Sequence, residues 1–140
     1  MPGRAFLDPN VFIFGFERPR SNSHRILELL AEGGLRGVVT DRVVREVMRY
    51  FRKYYDKDLA AKFRDLVLLT CDLLIEEDLR IDRALTDLVG SKDAGALAAV
   101  RAIGLSRLVS TDADFADVPE HRTPREFLRE RGERPRPGAE

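Results

Sequence analysis

Ala5-Phe6-Leu7-Asp8-Pro9 constrains the fold more than any other stretch of the chain. Three apolar residues in succession, without alternation, read as a strand covered on both faces, the habit of parallel sheets. Pro9 has no N–H, and its fixed φ suits a first helical turn, so the strand ends at Asp8 and a helix or turn begins at once. In open α/β sheets, ligands bind beyond the carboxyl ends of strands. A buried strand has little structural reason to end on an acid, so Asp8 is a candidate for chemistry.

The rest of the chain alternates short apolar strands with helical periodicity. After a loop over 17–22, Ser23 is placed to cap a helix over 24–32, which Gly33-Gly34 stops. Residues 35–39 read as a second strand, and Thr40 or Asp41 caps a helix to about Lys53. A further helix is expected over 58–74, with a short strand starting near Leu74-Ile75 and a short helix over 81–89. Ser91 would cap an alanine-rich helix over 92–103, apolar nearly all round and therefore buried. Residues 107–110 form another strand, and Thr123-Pro124 opens a last helix to about Arg131. Strands alternating with helices point to a three-layer α/β/α domain around a parallel sheet of four to five strands. The domain is expected over 1–131, followed by a disordered, charged, Pro/Gly-rich tail over 132–140.

A chain of 140 residues, 44% hydrophobic and 34% charged, suits one globular domain. Its longest apolar runs fall short of the ~20 residues of a membrane span, and no secretion signal opens it, so a cytoplasmic protein with no membrane contact is expected. The single cysteine, Cys71, excludes an internal disulfide and reads as a core residue. Net charge is zero, but its distribution is uneven. Residues 42–64 carry eight bases against three acids, and residues 72–93 carry seven acids against three bases. A basic and an acidic region of this kind suit an anionic ligand and a metal pocket, or equally two solvated helix faces.

Asp8 and Asp112 both follow strand ends, so neighbouring parallel strands would aim both carboxylates into one crevice, with Asp114 close by. Asp93 lies in the first turn of the buried helix, where N–H groups favour an anion. Converging carboxylates repel unless protonated or bridged by a cation, and all-oxygen ligands suit Mg²⁺ or Mn²⁺. Each acid also has a plainer reading: Asp93 as a helix-end charge, Asp112 and Asp114 as turn formers. Glu46 lies on the polar flank of its helix with Arg42, Arg49 and Tyr50, and on spacing alone could be a solvated ion-pair partner.

Leu7-Asp8-Pro9-Asn10-Val11 resembles the hydrophobic-Asp-Thr-Asn-Val opening of the PIN-domain family. Thr40 to Glu46 is similar to that family's Ser/Thr-initiated helix carrying a Glu, and Lys92-Asp93-Ala94 to its third acidic position. Ser110-Thr111-Asp112-Ala113-Asp114-Phe115 resembles Thr-x-Asp-x-Asp-Phe, and Thr123-Pro124-Arg125-Glu126-Phe127-Leu128 resembles the ending of one branch. Pro9 and Ser110 depart from the usual Thr, and neither departure removes a carboxylate.

The resemblance implies a metal-dependent endoribonuclease. Asp8, Asp93 and Asp112 would hold one or two Mg²⁺ or Mn²⁺ ions, with Glu46 and Asp114 as direct or water-mediated ligands. Asn10 would orient a carboxylate, and the Ser110 hydroxyl would bind a water or phosphate oxygen. Arg18, Arg20, Arg25, Arg42, Arg49 and Lys92 would grip RNA phosphates. Small PIN proteins are often VapC-like toxins of toxin–antitoxin pairs and form homodimers, which implies a cognate antitoxin as partner. The alternatives are an RNA-processing nuclease outside such a pair, a non-catalytic RNA- or protein-binding scaffold, and an aspartate-based phosphatase. The phosphatase would need a second Asp where Asn10 stands.

Overall fold

The computed structural model describes residues 3–138 and 140. Its strands are β1 (Gly3–Leu7), β2 (Leu35–Thr40), β3 (Cys71–Leu74), β4 (Leu108–Val109) and β5 (His121–Arg122). Its helices are α1 (Pro9–Glu17), α2 (Asn22–Glu32), α3 (Asp41–Tyr54), α4 (Lys57–Thr70), α5 (Arg83–Val89), α6 (Ala94–Ala102) and α7 (Pro124–Glu130). The strands form one parallel sheet in the order β3-β2-β1-β4-β5. Ala5, Phe6 and Leu7 on the central strand are fully buried. Successive strand residues face opposite sides, so helices cover both faces of the sheet, as the unalternating run requires.

Chain order explains where a crevice must open. From β1 the chain steps outward through β2 to β3, then returns to place β4 on the other side of β1. That reversal is the switch point of a doubly wound sheet, and it lies between the carboxyl ends of β1 and β4. The Asp8 N–H donates to the Val109 carbonyl at 3.1 Å, so the exit of β1 is still tied to its neighbour where the acid begins.

Several boundaries differ from the sequence-based expectations. Ser21, not Ser23, caps α2: its hydroxyl accepts from the His24 N–H at 3.0 Å, and Ser23 is buried in the first turn. Helix α4 stops at Thr70 because Cys71–Leu74 pair with Gly37–Thr40, and the ladder takes residues whose leucines continue a helical stripe. Helix α6 starts at Ala94, after a turn over 91–93, instead of at Lys92. Strand β5 is two polar residues, His121 and Arg122, with no apolar run to announce it. In the Pro/Gly-rich stretch over 132–140, expected to be disordered, no helix or strand occurs among the described residues, and Glu133 pairs with Arg25 at 3.1 Å and Arg136 with Glu28 at 2.7 Å. The Glu140 carboxylate also accepts from the Asn22 and Ser23 N–H groups of α2.

Helices α1, α3 and α4 are locked together by aromatic rings. Phe51 stacks on Phe63 at 4.2 Å, and Phe16 meets Phe51 and Phe63 edge-on at 5.3 and 5.2 Å. This packing fixes α3 beside α1, which brings Glu46 over the carboxyl end of β1. Among the described residues no helix is long and apolar enough to cross a membrane.

Candidate active site

Each of the seven helices described follows a residue whose side chain is placed to cap it. Ser21, Thr40, Asp56, Asp82 and Thr123 each accept a hydrogen bond from a backbone N–H one turn into their helix. Asp8 and Asp93 hold the same position at the heads of α1 and α6 and make no such bond. A capping bond contributes about 1 kcal/mol. The Asp8 carboxylate turns instead to Ser110 and Asn10, and Asp93 stays a charge at the head of the buried α6 whose side chain makes no capping bond.

Both carboxylates line one cavity of about 290 Å³ at the switch point, together with Asn10, Glu46, Glu76 and Asp112. Asp8 is fixed on one side: its Oδ2 accepts from the Ser110 hydroxyl at 2.8 Å and from the Asn10 amide at 2.9 Å. Ser110 is buried and also accepts from the Asp112 N–H at 2.9 Å, so one hydroxyl ties the ends of β1 and β4 together. Its hydroxyl proton is given to Asp8, which sets it beside the carboxylate that it was expected to accompany. Burial pushes the Asp8 carboxyl up from 3.8 to about 7, against the lowering effect of the Ser110 bond, and the charges of Asp93, Glu46 and Asp112 add to the rise.

Asp93, Asp112 and Asp114 form the tightest acidic group, each offering an oxygen within 4.8 Å of the others. Asp93 is buried and Asp114 exposed, so the group spans from interior to solvent. Asp112 does serve its turn, with Oδ1 accepting from the Asp114 N–H at 2.9 Å. Burial, then the Asp112 charge and the neighbouring Asp114 carboxyl, push Asp93 up to about 6, with Lys92 opposing. The Asp93 Oδ2 is the one buried side-chain oxygen or nitrogen among the described residues with no hydrogen-bond partner. A buried carboxylate oxygen without a partner is costly, and a divalent cation held by oxygen ligands is the partner its surroundings suit. The residues present thus fit a Mg²⁺- or Mn²⁺-type ion.

Glu46 also lines the cavity, but its Oε1 accepts from Arg42 Nε at 3.1 Å. Arg42 reaches on to Glu76 at 3.6 Å, so one guanidinium joins two acids on the cavity wall. Glu76 is a site residue that sequence reasoning missed. Its backbone N–H donates to Asp41 at 2.8 Å, and its carboxylate lies so close over Gly95 of α6 that a Cβ there would collide with it. It stands two residues beyond the end of β3, where Asp8 stands directly beyond β1, so a weaker form of the same signal was present. Glu17, also on the cavity wall, was missed as well, and it holds the hydroxyls of Tyr50 and Tyr55 at 2.8 and 2.9 Å.

The expected phosphate-gripping bases separate. Lys92 lines the acidic cavity, and with Arg49 it lines an adjoining one beside α3. Arg18 and Arg20 line a different cavity with Thr111, and Arg18 lies over the Phe14 ring at 4.6 Å. Arg42 is taken up by Glu46 and Glu76. Arg25 pairs with Glu133 and Glu32 and lines none of these cavities.

The sequence profile described as the PIN domain matches residues 4–118. The chain belongs to the PIN-domain family. PIN domains are generally nucleases that use divalent metals, in keeping with the three-acid group and the orphaned Asp93 oxygen. A solved toxin–antitoxin complex from Klebsiella pneumoniae contains a chain with a TM-score of 0.62 at 21% identity, covering 87% of this chain and 98% of that one. The VapBC2 complex from Rickettsia felis, bound to a DNA fragment from its promoter, gives 0.61 at 18% identity, covering 86% and 98%. At these identities the likeness is one of fold, and it shows that this PIN domain spans nearly the whole of each matched chain. No curated protein sequence matches the chain.

Proposed function

We propose that this PIN domain is a metal-dependent endoribonuclease and the toxin of a type II toxin–antitoxin pair. The buried, partnerless Asp93 Oδ2 beside Asp112 and Asp114 carries the reading, because a divalent cation is the partner such an oxygen would suit. Asp93, Asp112 and Asp114 would hold Mg²⁺ or Mn²⁺, with Asp8 as a further ligand and Glu46 reaching the site when Arg42 releases it. When bound, the ion lowers the pKa of a water and offsets charge on the phosphate under attack. Asn10 and Ser110 keep Asp8 in place through its Oδ2, so that its orientation does not depend on substrate. Lys92 supplies a positive charge at the rim. The toxin assignment is supported by the two matched complexes, both toxin–antitoxin assemblies. A cognate antitoxin and a homodimer go with it.

The test is cleavage of a labelled mixed-sequence single-stranded RNA with Mn²⁺ or Mg²⁺, beside EDTA and Asp112→Asn controls. Cleavage should require both the metal and Asp112. Losing a ligand should cost more than the roughly 10–100-fold typical of outer-shell changes. Full activity in Asp112→Asn would end this reading. Growth arrest on expression, relieved by the product of a neighbouring gene, would separate a toxin from a general RNA-processing enzyme.

A further inference from the structure

Beyond the acidic cavity, the exposed face of α3 carries a patch that the nuclease reading leaves unused. Tyr50, Tyr54 and Tyr55 lie there, and two of them have structural work. Tyr50 and Tyr55 both donate their hydroxyls to Glu17, and Tyr50 packs edge-on against Phe51 at 5.7 Å. Tyr54 makes no side-chain hydrogen bond among the described residues and is 59% exposed. Its ring leans on the fixed Tyr50 ring at 4.7 Å, so it is held out into solvent on a rigid support.

The surroundings of Tyr54 are cationic. Lys53 Nζ stands 5.2 Å from its ring centre. Tyr50 and Tyr54 share a cavity with Arg49, Lys53 and Lys92, and none of these three bases joins an ion pair among the described residues. That cavity adjoins the acidic one, since Pro9, Ile13, Arg42, Glu46 and Lys92 line both.

We infer that Tyr54, propped by Tyr50 and flanked by Arg49, Lys53 and Lys92, is a stacking platform for a base of single-stranded RNA entering the acidic cleft. The inference rests on the ribonuclease reading and deepens it. An exposed ring in a cavity lined by cations is how sequence-tolerant single-strand binding is built: the cations gather phosphates, and the ring, over which Lys53 now lies, takes a base when that flexible side chain turns to a phosphate. A polynucleotide uses both the ring and the charges, one for a base and the others for phosphates. The platform selects single strands, because a base stacked within a duplex offers no free face. Rigid support from Tyr50 means that little ordering is needed on binding.

The experiment measures binding of a fluorescein-labelled single-stranded RNA decamer to the full chain in an Asp112→Asn background, with and without Tyr54→Ala or Tyr54→Phe. Base–aromatic stacking predicts a loss of about 5–150-fold for Tyr54→Ala and near-complete retention for Tyr54→Phe. A decamer of the same charge with abasic sites should bind the Tyr54-containing protein as weakly as the normal decamer binds Tyr54→Ala, and the duplex should bind weakly throughout. Unchanged affinity in Tyr54→Ala, with a fall in oligomeric mass, would make Tyr54 a protein–protein contact and overturn the platform. Equal binding of duplex and single strand would overturn it too. Metal-dependent cleavage that survives Tyr54→Ala unchanged rejects the platform and leaves the nuclease standing. Tyr54-dependent binding in a chain that never cleaves does the reverse.

Discussion

The two ends of the sheet use the same residue types to opposite effect. Around the amino ends, acids meet arginines: Asp72 pairs with Arg36 at 2.9 Å and with Arg4 at 3.5 Å, and Glu130 pairs with Arg107 at 2.9 Å and Arg122 at 3.0 Å. At the carboxyl ends, Asp8, Asp93, Asp112 and Asp114 gather with no ion pair among the described residues. Arginine is present there, but Arg42 goes to the flanking Glu46 and Glu76. At the paired end the Arg107 hydrogen bond, with Arg122 beside it, holds the Glu130 carboxyl below its usual range, and such pairs add a little stability. The unpaired end pushes Asp8 up to about 7 and Asp93 to about 6, so it costs stability until a cation arrives.

The largest break in this contrast should come from Asp8→Asn. Below about pH 4 the Asp8 carboxyl is protonated whether the chain is folded or unfolded. As pH rises from 3.8 toward 7 the unfolded chain ionises while the folded one keeps its proton, so the metal-free protein loses stability across that window. At about 1.4 kcal/mol per unit, the loss at neutral pH is on the order of 2–4 kcal/mol. Asp8→Asn should flatten the fall and raise the metal-free melting temperature at pH 7, while abolishing cleavage. Its carboxamide oxygen can still accept from Ser110 and Asn10. Urea titrations of both proteins at pH 4, 5.5 and 7 would show this. Parallel losses in the two would mean that Asp8 is not held as described.

Adding the cation should reverse the cost. At a hundredfold excess over its dissociation constant, Mn²⁺ should stabilise the protein by about 2.7 kcal/mol. For a chain of this size that is roughly 5–10 °C in melting temperature. Asp93→Asn should lose most of the rise, because it neutralises the buried carboxylate whose oxygen has no other partner. A rise of the same size in Asp93→Asn would place the cation elsewhere on the molecule.

The fold was readable because its main strand announces itself: Ala5-Phe6-Leu7 followed by Asp8-Pro9 specifies a covered strand, its end and the start of a helix. Asp112 was readable by the same rule. Glu76 obeys a weaker form of that rule and was missed, because Leu73 and Leu74 extend the apolar stripe of α4 and hide the strand that Glu76 follows. Pairing with β2 decides between the two, and pairing is a long-range fact that local periodicity cannot hold. Asp82 and Asp93 likewise look alike in sequence, each placed to begin a helix. Only the structure distinguishes the one that caps from the one that does not: Asp82 has the extended backbone of a cap, whereas Asp93 already has helical φ and ψ. Tail contacts such as Arg136 to Glu28 were invisible for the same reason: composition describes a segment, and its partners lie more than a hundred residues away.

The smallest expected effect belongs to the paired end and has the opposite sign. Asp72→Asn removes the shared acid between Arg4 and Arg36, whose side chains are 47% and 40% exposed. Ion pairs this open to solvent contribute about 0–1 kcal/mol, so the melting temperature should fall by no more than about 4 °C. Raising NaCl to about 1 M shortens the screening length to about 3 Å and should erase the difference from wild type. RNA cleavage should be unchanged, because the substitution lies at the far end of the strands from Asp8 and Asp112. The pair of variants then forms a sharper test than either alone: without metal, Asp8→Asn should stabilise and Asp72→Asn should destabilise. If Asp72→Asn stabilised the protein instead, carboxylates at both ends would be under the same strain, and the acidic cluster would lose its claim to be special.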